Sequence, residues 1–172
     1  MPQISFREGD ISEFRGDVII IPSDVDLTYA KANEAIRSVL KKGGPDLLKE
    51  LSAIGYCEVG HAVITKGYNL NAKHIVFLAY TDCERKESRL NFVLLHQALK
   101  NAFNLAVLYG AKTLAIDLAP LRVRRHNLLK EILSKVLDTE PPKGLAIDEM
   151  VDVVRGISCG YKETLQEIII YK

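Results

Sequence analysis

The stretch Gly43-Gly44-Pro45-Asp46-Leu47-Leu48-Lys49-Glu50 is followed by Gly55-Tyr56-Cys57-Glu58-Val59-Gly60-His61-Ala62-Val63-Ile64-Thr65-Lys66-Gly67-Tyr68-Asn69-Leu70 and Ala72-Lys73-His74-Ile75-Val76. Together these residues spell a helix end, a second helix and two strands. Gly43-Gly44 stops the first helix, because glycine takes the left-handed conformation of a helix terminus without a Cβ clash. Pro45 has its φ already set for a first turn, and Leu47, Leu48 and Leu51 follow at helical spacing as far as Gly55. His61 to Thr65 and His74 to Ala79 read as strands. The connector from Lys66 to Lys73 is short, which makes the two strands antiparallel.

Upstream, Ile4-Ser5-Phe6-Arg7 alternates apolar and polar residues, the pattern of an edge strand with one wet face. Val18 to Ile21 is uniformly apolar and β-branched, so it is expected inside the sheet with both faces covered. Between Lys31 and Lys42, the residues Ala32, Ala35, Ile36, Val39 and Leu40 fall on one helix face. Downstream, the longest amphipathic pattern runs from Ser88 to Tyr109, its stripe formed by Leu90, Val93, Leu94, Leu99, Phe103, Ala106 and Val107. Thr113 to Ile116 reads as a strand, Leu128 to Leu137 and Ile147 to Ile157 as helices, and Glu167 to Tyr171 as a last strand. Strands alternating with crossover-length helices predict an α/β, three-layer fold, a mixed central β-sheet flanked by helices, in a single domain over residues 1–172. Ligands of such sheets sit beyond the carboxyl ends of the parallel strands. The loops Gly9 to Phe14, Pro22 to Ala30, Ala79 to Arg89 and Asp117 to Asn127 are therefore the candidates.

Composition narrows the function. With 172 residues, 48% hydrophobic and 26% charged, the chain suits one soluble domain and excludes disorder or a disulfide miniprotein. Lys plus Arg number 23 against 22 Asp plus Glu, a net charge of +1, so no whole-molecule field draws the protein to nucleic acid or an anionic membrane. Any anion site must be local. Cys57, Cys83 and Cys159 form no CxxC and have no histidine at metal-ligand spacing, so neither a metal nor another cofactor is expected. Scattered thiols and an N-terminus without signal-peptide character point to the cytoplasm. The longest apolar run, Val18-Ile19-Ile20-Ile21-Pro22, is far short of a membrane span.

The opening stretch resembles the macrodomain family, and Glu8-Gly9-Asp10-Ile11 with Asp17-Val18-Ile19-Ile20 is similar to that family's first strand, Gly-Asp-Ile turn and second strand. The resemblance implies a six-stranded mixed sheet between helices and a metal-free cleft for ADP-ribose or a related nucleotide. By that resemblance, Asp10 accepts a hydrogen bond from the adenine amino group, Ile11 offers a backbone N–H, and the ring of Tyr171 stacks on adenine. Read by itself, Gly9-Asp10 is equally an Asx-type turn. Where the family has Asn-Ala-Ala-Asn, this chain has Ile21-Pro22-Ser23-Asp24. Ser23 and Asp24 can still bond a ribose hydroxyl, although a carboxylate at Asp24 repels a nearby diphosphate. The family's glycine-rich run is replaced by Leu27-Thr28-Tyr29-Ala30-Lys31-Ala32-Asn33-Glu34, which contains no glycine.

The family's second phosphate loop is also absent. In its place stands Asp117-Leu118-Ala119-Pro120-Leu121-Arg122-Val123-Arg124-Arg125-His126-Asn127. Arg122, Arg124 and Arg125 can grip phosphate oxygens with their guanidinium forks, or form a solvated basic turn or an oligomer contact. Tyr80 and Asp82 are further cleft candidates. Thr65, Lys66 and Tyr68 read as structural residues of a connector, and His74 and His96 as packing residues.

Three functions stay open: a module that binds ADP-ribose or a related nucleotide or phosphate ligand, an ADP-ribosyl hydrolase with Asp24 as its carboxylate, or a degenerate domain without ligand that acts in protein interaction. In the last case Tyr29 and its neighbours fill the groove. A homo-oligomer also stays open, and nucleic acid is disfavoured because only the arginine patch speaks for it.

Overall fold

Val18, Ile19, Ile20 and Ile21 are all inaccessible to solvent, because β2 (Gly16–Asp24) is covered on both faces. Val18 and Ile20 enter one hydrophobic layer and Ile19 and Ile21 the other, as the two-residue period of a strand requires. The computed structural model describes residues 1–28, 33–81, 92–119 and 147–171. Around β2 it places β1 (Gln3–Arg7), β3 (Ala62–Lys66), β4 (Ala72–Thr81), β5 (Thr113–Asp117) and β6 (Glu167–Tyr171) in one six-stranded sheet of order β1-β6-β5-β2-β4-β3. Every neighbouring pair is parallel except β3 with β4, so the sheet is mixed and β1 is an edge strand.

Helices cover both faces. Ile36, Val39 and Leu40 of α1 (Glu34–Gly43) and Leu47 and Leu51 of α2 (Pro45–Ile54) pack with Ile19, Ile21 and Ile75. On the other face, Leu95, Ala98, Leu99, Ala102, Phe103 and Ala106 of α3 (Phe92–Leu108) join Met150, Val151, Val154 and Ile157 of α4 (Ile147–Ser158). Gly44, at φ 82°, separates α1 from α2, and a Cβ there would lie 2.7 Å from the Asn69 side chain. This is the helix stop read from the sequence. Two expected core residues lie outward. Leu48 is 40% exposed, and Val93 is 72% exposed because the buried stripe of α3 starts at Leu95, about 200° further round the helix. The helix expected from Leu128 to Leu137 lies outside the described residues.

Asp17 ties the amino ends of three strands together. One carboxylate oxygen accepts from Lys73 Nζ at 2.6 Å, and the other accepts from the backbone N–H groups of Lys112 at 2.9 Å and Thr113 at 3.0 Å and from the Thr113 hydroxyl. Partial burial would raise the pKa of Asp17, but these donors outweigh it and pull the value down to about 2. A depressed carboxylate stabilises the fold fully above its unfolded pKa and loses that contribution as pH falls through the folded value. Asp17→Asn should therefore cost about 2 kcal/mol near neutral pH. In urea unfolding at a series of pH values, the gap between parent and variant should close as pH falls from 3.8 toward about 2.

Candidate functional site

Since β1, β6, β5, β2 and β4 run parallel, Arg7, Tyr171, Asp117, Asp24 and Thr81 lie at one edge of the sheet. The helix that follows β2 in sequence covers one face, whereas α4, after β5, covers the other. Ligands of open α/β sheets sit beyond this carboxyl edge.

At the tip of β2 the register slips by one residue between Ser23 and Asp24. Ser23 is fully buried and donates its hydroxyl to the Leu78 carbonyl at 3.3 Å. Asp24 is 2% exposed and accepts from the Asp26 N–H at 3.4 Å. Asn33, not singled out as a site residue by the sequence reading, fixes the start of α1. Its side-chain oxygen caps the helix by accepting from Ile36 N–H, and its amide donates to the Pro22 carbonyl, each at 2.8 Å. The signal for it was an asparagine just ahead of an apolar helical pattern.

Beyond β1, Gly9 turns the chain at φ 119° and Asp10 caps the short 3-10 turn Ile11–Glu13. Asp10 Oδ1 accepts from Ser12 N–H at 2.9 Å, while Oδ2 accepts from the Ser38 hydroxyl and from Lys42 Nζ at 3.0 Å. Lys42 also pairs with Glu13, and the Ser12 and Ser38 hydroxyls are hydrogen-bonded to each other. Partial burial alone would raise the pKa of Asp10, yet the bonds from Ser38, Ser12 and Lys42 prevail and hold the carboxyl well below the usual range. Ile11 is buried beneath, in the layer shared with α1.

Asp117 ends β5 at 8% exposure. Burial pushes its pKa up, opposed by an N–H bond from Ala119 at 2.9 Å. It was not singled out from the sequence, because its burial follows from the sheet order. Tyr171, which aligns with Asp117 and Arg7, is 3% exposed, and its hydroxyl accepts from Arg7 at 3.4 Å. Tyr80 packs into the α3 and α4 layer, on the opposite face of the sheet from Tyr171. Tyr29, Asp82, Arg122, Arg124 and Arg125 lie outside the described residues. Among the described residues, no group of three or more His, Cys, Asp or Glu is able to hold a metal ion, and no helix is long and apolar enough to cross a membrane.

Residues 32–118, just over half of the chain, match the family model described as Macro domain. The chain belongs to the macrodomain family. It is similar to an O-acetyl-ADP-ribose deacetylase of Escherichia fergusonii, with 32% identity over 66% of this chain and 64% of the relative. It is also similar to the ADP-ribose glycohydrolase MACROD2 of Xenopus laevis, with 34% identity over 43% of this chain and 17% of the relative. Both matches span less than two thirds of the relative. Among solved structures, the GDAP2 macro domain superposes with a TM-score of 0.73 at 19% identity, covering 98% of this chain and 76% of that one. A Trypanosoma brucei macrodomain in complex with ADP-ribose superposes with a TM-score of 0.71 at 16% identity, covering 98% and 63%. At such identities the likeness shows the shared fold.

In this macrodomain the cap at Asn33 couples the tip of β2 to α1. Asn33→Ala should cost about 1 kcal/mol of stability through loss of the cap. Asn33→Asp keeps the capping oxygen but sets a carboxylate oxygen against the Pro22 carbonyl, so it should recover only part of the loss, as read by chemical unfolding midpoints.

Proposed function

We propose that this macrodomain binds ADP-ribose or a closely related nucleotide at the carboxyl edge of its sheet, without a metal. Asp10 and Ile11 take the adenine, Ser23 and Asp24 take hydroxyls of the distal ribose, and Arg122, Arg124 and Arg125 replace backbone amides in holding the diphosphate. Tyr171, whose ring is expected to stack on adenine, is 3% exposed and packs in the core layer shared with α1, so its part here is confined to the bond its hydroxyl accepts from Arg7. The observation that carries this reading is Asp10: an ionised acceptor three residues past the end of β1, 36% exposed, at the position of the family's Gly-Asp-Ile aspartate. A cytoplasmic setting accords with the free thiols of Cys57 and Cys159.

A second reading, hydrolysis of an ADP-ribosyl bond, is favoured by the buried carboxyl groups of Asp24 and Asp117 at neighbouring strand tips and by the hydrolase names of the two relatives. Such chemistry needs a water held against the anomeric carbon beside a general base, and Asp24 stands in the loop that suits that role. Incubation with an ADP-ribosylated protein tests it through release of ADP-ribose, which Asp24→Asn should abolish.

Melting with and without ADP-ribose tests the binding reading. At a hundredfold excess over the dissociation constant the fold should gain about 2.7 kcal/mol. Asp10→Ala should remove most of this gain, and changing Arg124 and Arg125 to alanine should reduce it. No rise with ADP-ribose, ADP or ATP overturns the reading.

A further inference from the structure

The acceptor at Asp10 is built by α1 as much as by the turn that carries it. Oδ2 receives the Ser38 hydroxyl and the Lys42 ammonium, Oδ1 receives the Ser12 N–H, and the Ser12 hydroxyl bonds the carboxylate as well. With 36% of its side chain exposed, the carboxylate is still able to accept from a ligand. The donors do not wander. Lys42 is held from its other side by Glu13, Ser38 is also bonded to Ser12, and α1 is pinned at its start through Asn33 to Pro22 on β2. The orientation of the carboxylate is thereby set by a capped helix rather than by a free side-chain torsion.

We propose that Lys42 and Ser38 are positioning residues for nucleobase recognition, locking Asp10 so that its carboxylate selects a base bearing an exocyclic amino group over a base bearing a carbonyl there. The inference rests on the reading that Asp10 meets the base. A 6-aminopurine donates an N–H to the carboxylate. A 6-oxopurine sets a carbonyl oxygen against a carboxylate oxygen, and an aspartate held ionised has no proton to offer in return. With Oδ2 released, the carboxylate turns about its last torsion, and the base edge is no longer read in one orientation.

The test is calorimetric titration of the full chain with ADP-ribose and with its inosine counterpart, comparing the parent, Lys42→Met, Lys42→Arg and Ser38→Ala. The parent should prefer the amino ligand by about tenfold, the worth of one charged hydrogen bond. Lys42→Met should still bind, through ribose and phosphate contacts, but with a preference reduced toward unity, and Lys42→Arg should restore it. Ser38→Ala removes a donor without changing charge and carries the same readout should Lys42→Met fail to fold. A parent that binds ADP-ribose without preferring it over the inosine ligand overturns the proposal alone. An unchanged preference in folded Lys42→Met or, where that variant does not fold, in Ser38→Ala does the same. A parent that binds neither ligand overturns the proposed function along with it.

Discussion

Burial of β2 on both faces is the constraint from which the rest of this molecule follows. A strand with no wet face must lie inside a sheet that is itself covered twice, and the residues available to cover it are the apolar stripes of α1, α2, α3 and α4. Flanking β2 with parallel neighbours then aligns their carboxyl ends along one edge. The carboxyl edge beside β2, where such sheets take ligands, is therefore a product of topology before any side chain is considered.

Two aspartates at the margins of this frame show how the same chemistry serves different ends. Asp17 has its oxygens filled by donors from β4, the residue ahead of β5 and β5 itself, and it fastens strand starts. Asp10 receives donors from its own turn and from α1 but remains 36% exposed. The first carboxylate is spent on the fold. The second is ordered by the fold yet still able to accept.

Most of the architecture is legible in local sequence because its signals are local. Gly43-Gly44-Pro45 marks two helix ends within three residues, and the uniform run Val18 to Ile21 admits only an interior strand. The outward positions of Leu48 and Val93 are not legible, since a hydrophobic residue at the border of a stripe is assigned by what packs opposite it. At the candidate site, Asp10 is found from its Gly-Asp-Ile setting, whereas its partners Ser38 and Lys42 stand on another element and become neighbours only when α1 docks on the 3-10 turn. Asp117 follows the same logic: a polar residue at a strand end reads as a turn until the sheet order buries it.

Because α1 is anchored at its cap to the Pro22 carbonyl and further along to Asp10, its position owes little to the length or composition of the segment that leads into it. Loop closure costs grow only slowly with added residues, so that lead-in is free to change while the helix stays where it is. The helix thus works as a strut between Pro22 on β2 and the turn that carries Asp10. A change in the lead-in that leaves Asn33 in place therefore leaves the geometry around Asp10 intact.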